Sequence, residues 1–102
     1  MYKIQKEVDE WIKQYPEGYW PTLNILARLT EEVGELAREI NHLEGTKKKK
    51  ESEAKSDIES EIGDILFTLT CLANSKNISL DNCFKKAMDK CYNRDNNRFE
   101  KY

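Results

Sequence analysis

Apolar positions recur every three or four residues along the chain, and no stretch alternates between apolar and polar as a half-buried strand does. Ile4, Val8, Trp11 and Ile12 share one side of a first helix, predicted over Tyr2 to Tyr15 and stopped by Pro16-Glu17-Gly18. Pro21 suits a first helical turn, so a second helix is expected from there to about Leu43, with Gly45 as its terminator. Its apolar stripe is Leu26, Leu29, Val33, Leu36, Ala37 and Ile40. Thr46 to Lys55 is charged, small and aperiodic, and reads as a mobile loop within about 45–56. Ser56-Asp57-Ile58-Glu59 has the form of a capping box and starts a third helix that runs to about Ser75. Ser79 caps a fourth, from Leu80 to about Asn93, before a polar tail at about 96–102. The pattern predicts an all-α fold: a small bundle of four helices in a single domain, residues 1–102.

The third helix differs from the others. From Ile58 to Ser75 it holds no Lys or Arg, and Ile58, Ile62, Ile65, Leu66, Phe67, Leu69, Leu72 and Ala73 make it apolar most of the way round. Such a helix is expected to be buried. Its remaining stripe is Asp57, Glu61, Asp64, Thr68, Cys71 and Ser75. Carboxylates near a core are costly unless matched by cations or metal, and this helix supplies no cation of its own.

Helices 2 and 3 echo each other. Glu31-Glu32-Val33-Gly34-Glu35-Leu36 and Glu61-Ile62-Gly63-Asp64-Ile65-Leu66 both read acid, β-branched residue, glycine, acid, aliphatic. In each, two acids at i and i+3 are neighbours on one helical face. In each, a mid-helix glycine, costing about 1 kcal/mol against alanine, precedes the second acid, which suggests that something approaches the backbone there. On helix 2 the acids lie off the apolar stripe and Arg28 could pair with Glu31 or Glu32, so that helix taken alone reads as a charged outer face, and helix 3 carries the case for a site. If the helices pack antiparallel, the acid pairs meet across the interface. Four carboxylates suit a hard cation, Mg²⁺ or Mn²⁺, and a structural ion-pair network is the competing use. Glu39-Ile40-Asn41-His42 also has the form of a di-iron half-motif, but two are needed and His42 is the only histidine; it reads as a surface or loop-packing residue.

Composition narrows the remaining classes. Seventeen basic and nineteen acidic residues leave a net charge of −2, without the basic excess of a nucleic-acid binder, and Lys47 to Lys50 reads as a solvated run. No apolar run spans a bilayer, and three unpaired cysteines, Cys71, Cys83 and Cys91, read as small buried hydrophobes in a reducing compartment; a cytoplasmic location is expected. A core of this size is modest, which favours a homodimer or homotetramer.

The acids Glu31-Glu32-x-x-Glu35, a 25-residue spacer, then Glu61-x-x-Asp64 form a pattern that resembles the signature of the MazG-like nucleoside triphosphate pyrophosphohydrolases. The likeness extends through Gly18-Tyr19-Trp20, Arg28-Leu29-Thr30 and Asn41-His42 to helix 4. It implies an all-α enzyme that hydrolyses a nucleoside triphosphate to the monophosphate and pyrophosphate with Mg²⁺, a housecleaning activity on the nucleotide pool. By position in the motif, Glu32, Glu35, Glu61 and Asp64 match the metal ligands, and Glu32 or Glu35 the catalytic base. Glu31 stands behind the ligands. Lys90, Asn93 and Arg94 match groups that hold phosphates, and Trp20 a wall of the base pocket, with Tyr19 and Trp11 beside it. The alternatives are a non-catalytic helical module that binds nucleotide or metal, and a related activity on phosphoribosyl-ATP.

Overall fold

The computed structural model describes residues 1–45, 50–95 and 97–101. Four helices follow in order: α1 (Tyr2–Ile12), α2 (Thr22–Glu44), α3 (Glu51–Ser75) and α4 (Leu80–Asn93). No strand occurs among the described residues. α1 is shorter than its periodicity suggested: it ends at Ile12 and continues as turns through Tyr15 to Gly18. Gly18 has φ +67, a left-handed value that suits glycine. Pro21 is the N-cap of α2 and not its first helical residue. At the far end Gly45 closes the helix by space, not handedness: its φ is −89, and a Cβ there would stand 2.5 Å from the Asn41 carbonyl oxygen.

α3 begins at Glu51, five residues ahead of the expected capping box, so the expected loop to Lys55 is half helix. Ala54, fully buried, holds that extra turn against its surroundings, and Ser56 is an interior residue. Glu51 and Glu53 occupy the first turn, where the helix dipole favours acids. The rest of the expected loop, residues 46–49, lies outside the described residues, as do Asn96 and Tyr102. Only α4 keeps its expected bounds, with the Ser79 hydroxyl accepting from the Asn82 amide at 3.3 Å.

α2 and α3 form the main contact; α1 packs on α3, and α4 leans on α1. Ile25 meets Cys71 near one end of the α2–α3 pair and Glu32 meets Asp64 farther along, so the two helices run antiparallel. The inward face of α2 is Ile25, Leu29, Glu32, Leu36, Glu39 and Leu43, spaced alternately four and three residues apart. This corrects the expected stripe. Leu26, Val33 and Ile40 point outward, each about half exposed, while Glu39 is buried. α3 is inverted in the same sense: Thr68 and Cys71 of its polar stripe are buried, and Ile62 and Leu69 are exposed. The cysteine expectation holds for Cys71 alone; Cys83 and Cys91 are exposed on α4. α4 has no buried residue at all.

Candidate active site

Seven-residue spacing places Glu32 on the inward face of α2 and Glu61 with Asp64 on the facing stripe of α3. Their side chains converge: one carboxylate oxygen from each of Glu32, Glu61 and Asp64 lies within 4.8 Å of the others. Glu35, one turn beyond Glu32, lies close enough to act on Glu61. The Glu61 carboxyl is pushed up to about 7, first by desolvation and then by the neighbouring carboxylates of Glu32 and Glu35. Like charges at this spacing cannot all ionise without a cation or a shared proton.

Two oxygens make the point geometrically. Oε2 of Glu32 and Oε2 of Glu61 are buried with no hydrogen-bond partner. Carboxylates offer acceptors only, so acceptors facing one another need a donor or a cation between them. Among the described residues Arg28 is the one cation paired with the group, its Nε 3.9 Å from Glu32 Oε1. That distance is too long for a hydrogen bond. Among the described residues Glu35, Glu61 and Asp64 have no ion pair. The donor set is all oxygen, with no His or Cys in it, and therefore fits a hard divalent cation.

The other expected residues are distributed less tightly. Glu31 is exposed and lines a cleft of about 330 Å³ with Trp20, Asn24, Ala27 and Arg28, outside the carboxylate group. Trp20 carries the Arg28 guanidinium 5.0 Å from its ring centre. Trp11 packs edge-on to Phe67 and Tyr15, and lines a second cleft with Tyr15, Pro16 and Trp20. Tyr19 turns away from solvent to donate to Asp9 at 2.8 Å. Burial and the Asp9 contact push its hydroxyl up to about 12. Lys90, Asn93 and Arg94 sit at the far end of α4, and none bonds to α2 or α3 among the described residues; Arg94 is held by Asp95. His42 bonds Glu39 at 3.3 Å and joins no cluster of ligands. The close backbone approach expected at Gly34 and Gly63 is not made within the chain: a Cβ at either would meet open space.

Sequence reasoning missed the burial of Glu39 and the Trp20 contact of Arg28, whose pairing with Glu32 it did expect. Glu39 repeats the inward seven-residue spacing of Glu32, a signal hidden by the more conspicuous apolar stripe. Arg28 lies between Trp20 and Glu32, and its bridging place required the loop before α2 to fold back on that helix.

An antiparallel pair of helices that brings Glu32, Glu61 and Asp64 into one oxygen-rich centre defines an all-α protein with a candidate cation site between its two longest helices. The chain belongs to the MazG nucleotide pyrophosphohydrolase domain family, whose model matches residues 21–99. It is 52% identical over 99 residues to YpjD of Bacillus subtilis (strain 168), an uncharacterized protein, covering 97% of this chain and 89% of that one. Two crystal structures share its fold. One is the Bacillus-conserved MazG protein, a nucleotide pyrophosphohydrolase, with TM-score 0.79 and 46% identity over 91% of this chain and 90% of that chain. The other is YPJD from Bacillus subtilis, with TM-score 0.79 and 54% identity over 87% and 91%. The family and the fold together make this a nucleotide pyrophosphatase.

Proposed function

We propose that the protein is a Mg²⁺-dependent nucleoside triphosphate pyrophosphohydrolase, releasing pyrophosphate and a nucleoside monophosphate from ribo- or deoxyribonucleotides. The observation that carries this is the pair of buried oxygens on Glu32 and Glu61 without a hydrogen-bond partner, in a group where one oxygen each of Glu32, Glu61 and Asp64 lies within 4.8 Å of the others. Glu32, Glu35, Glu61 and Asp64 would hold the cation, with Mn²⁺ as a substitute. Once bound, it supplies charge neutralisation for the phosphates and a more acidic water. Glu35 is exposed and adjoins Glu61, which suits it to take a proton from the attacking water, with Glu32 as the other candidate base. Glu31 borders the cleft on the substrate side, and Trp20 offers a face for the base.

The active protein is proposed to be a homodimer or homotetramer. Three observations support this. Leu26, Val33 and Ile40 form an outward apolar line on α2, at 55%, 49% and 44% exposure. Ile62 and Leu69 do the same on α3. The Cα radius of gyration is 16.9 Å, against about 13 Å for a closed domain of this length. A partner would also meet the open backbone at Gly34 and Gly63. On this reading Lys90, Asn93 and Arg94 reach phosphates in the assembled particle. No helix among the described residues is long and apolar enough to cross a membrane, and we place the enzyme in the cytoplasm, acting on free nucleotides.

Purified protein is incubated with a panel of nucleoside triphosphates, with Mg²⁺ or with a chelator. Pyrophosphate and monophosphate in equal amounts, only with the cation, are expected. Tight nucleotide binding without turnover, or release of orthophosphate, overturns the reading.

A further inference from the structure

We propose that Arg28 binds the substrate's innermost phosphate, the one next to the sugar. This rests on the nucleotide reading above and adds a residue to it. Arg28 lies one helical turn ahead of Glu32, about 6 Å along the axis at 1.5 Å per residue. Trp20 lies on its other side, with the guanidinium 5.0 Å from the ring centre. A nucleotide whose base reaches toward Trp20, with its outer phosphates at the carboxylates, must pass its sugar and first phosphate by Arg28. Arg28 also lines the cleft that Trp20 and Glu31 border, one turn ahead of Glu32.

The side chain is held but not satisfied. Among the described residues it makes no hydrogen bond, and its side chain is 46% exposed. Its one ion pair, to Glu32, stands at 3.9 Å. A guanidinium carries five N–H donors in a planar fork that matches phosphate oxygens, and stacking on an aromatic ring orients that fork. The rival use is an ordinary i,i+4 ion pair on a helix surface. That pair would be better made at hydrogen-bond distance, and it leaves the Trp20 contact without purpose.

The test compares wild type with Arg28→Gln and Arg28→Lys. Calorimetry with Mg²⁺ measures binding of a nucleoside monophosphate and of pyrophosphate, and Mn²⁺ binding is read by electron paramagnetic resonance without nucleotide. Arg28→Gln is expected to weaken monophosphate binding about tenfold or more, the size of one charge-assisted hydrogen bond. The KM for triphosphate rises by a similar factor. Pyrophosphate and Mn²⁺ bind no more weakly than in wild type. Arg28→Lys, which keeps the charge and loses the fork, recovers part of the affinity. Unchanged monophosphate binding in a folded Arg28→Gln protein overturns the proposal and leaves the enzyme reading standing. So does an equal loss of monophosphate, pyrophosphate and Mn²⁺, which would mean that Arg28 only supports the carboxylates. A wild-type protein that binds no nucleotide removes both.

Discussion

α3 carries two partly buried polar groups, and they are built on opposite rules. Near its C-terminal end, Asn74 donates to the Gln5 carbonyl and to the Tyr19 hydroxyl, each at 2.9 Å. Gln5 donates back to Asn74 Oδ1 and to the Ile78 carbonyl, and its own oxygen accepts from the Leu80 amide. The Tyr19 hydroxyl donates to Asp9. Every donor has an acceptor, and the knot ties α1, the α1–α2 connection and the start of α4 to α3. Three turns earlier, Glu61 and Asp64 face Glu32 with acceptors alone, and two oxygens have no partner. A polar group that closes on itself is structure. One made of acceptors, with Arg28 at 3.9 Å as its nearest cation, is left to be completed from outside, and on the proposed reading a divalent cation would do so.

The largest effect that separates the two regions is on catalysis. Asp64→Asn removes one negative charge with little change in volume. Pyrophosphate release is expected to fall by at least about a hundredfold, the upper end of what disturbing a ligand's support costs, while circular dichroism stays as in wild type. Turnover at the wild-type rate would remove Asp64 from the metal set.

Next comes the cation's own contribution. Mg²⁺ at one hundred times its dissociation constant adds about 2.7 kcal/mol to a protein that binds it only when folded, or roughly 10–20 °C in melting temperature. Asp64→Asn should lose most of that increment. Asn74→Leu, in contrast, should keep it.

Breaking the knot gives the opposite profile. Asn74→Leu strands Gln5 and Tyr19, and a loss of about 2 kcal/mol is expected with and without Mg²⁺. Equal stability to wild type in a chemical melt would show the knot to be ornamental. Tyr19→Phe, which removes one hydroxyl between Asp9 and Asn74, should cost about 1 kcal/mol on the same measurement.

The smallest effect is the pH profile of the cation-free protein. Glu61 titrates at about 7, above its ordinary value of 4.5. A raised carboxyl stabilises the fold in its protonated form, so the contribution is present below about 4.5 and is lost as pH rises through about 7. Stability without Mg²⁺ should fall over that window. Mg²⁺ affinity should rise over the same range, because the cation displaces the proton. Glu61→Gln should flatten the first curve. A cation-free melting temperature that rises from pH 5 to 8 would contradict this.

Much of this molecule was legible without coordinates. The four helices follow from apolar spacing, and α4 from Ser79 to Asn93 was readable to the residue because a capping hydroxyl marks its start. The acid pairs at i and i+3 on two helices were expected to meet if the helices packed antiparallel, and Glu32, Glu61 and Asp64 do come together. From Ile58 to Ser75 helix 3 holds no Lys or Arg, which marked its acids as unmatched within that helix. What remained hidden was which face of α2 turns inward. Leu26, Leu29, Val33 and Ile40 make the more hydrophobic line, so burial by apolar count selects them. The folded chain instead turns Ile25, Leu29, Glu32, Leu36 and Glu39 toward α3 and leaves Leu26, Val33 and Ile40 outside. A helix with two apolar-tolerant faces does not declare which one meets its neighbour in the same chain and which one is left for another molecule.

Local chemistry therefore decided the elements, the cap of α4 and the acids on which the proposed centre rests, because helix formation and ligand preference depend on residues a turn apart. Tertiary packing decided the inward phase of α2, the start of α3 at Glu51, and the setting of Arg28 between Trp20 and Glu32. Those depend on contacts between residues far apart in the chain, whose energies no periodicity within a single helix records.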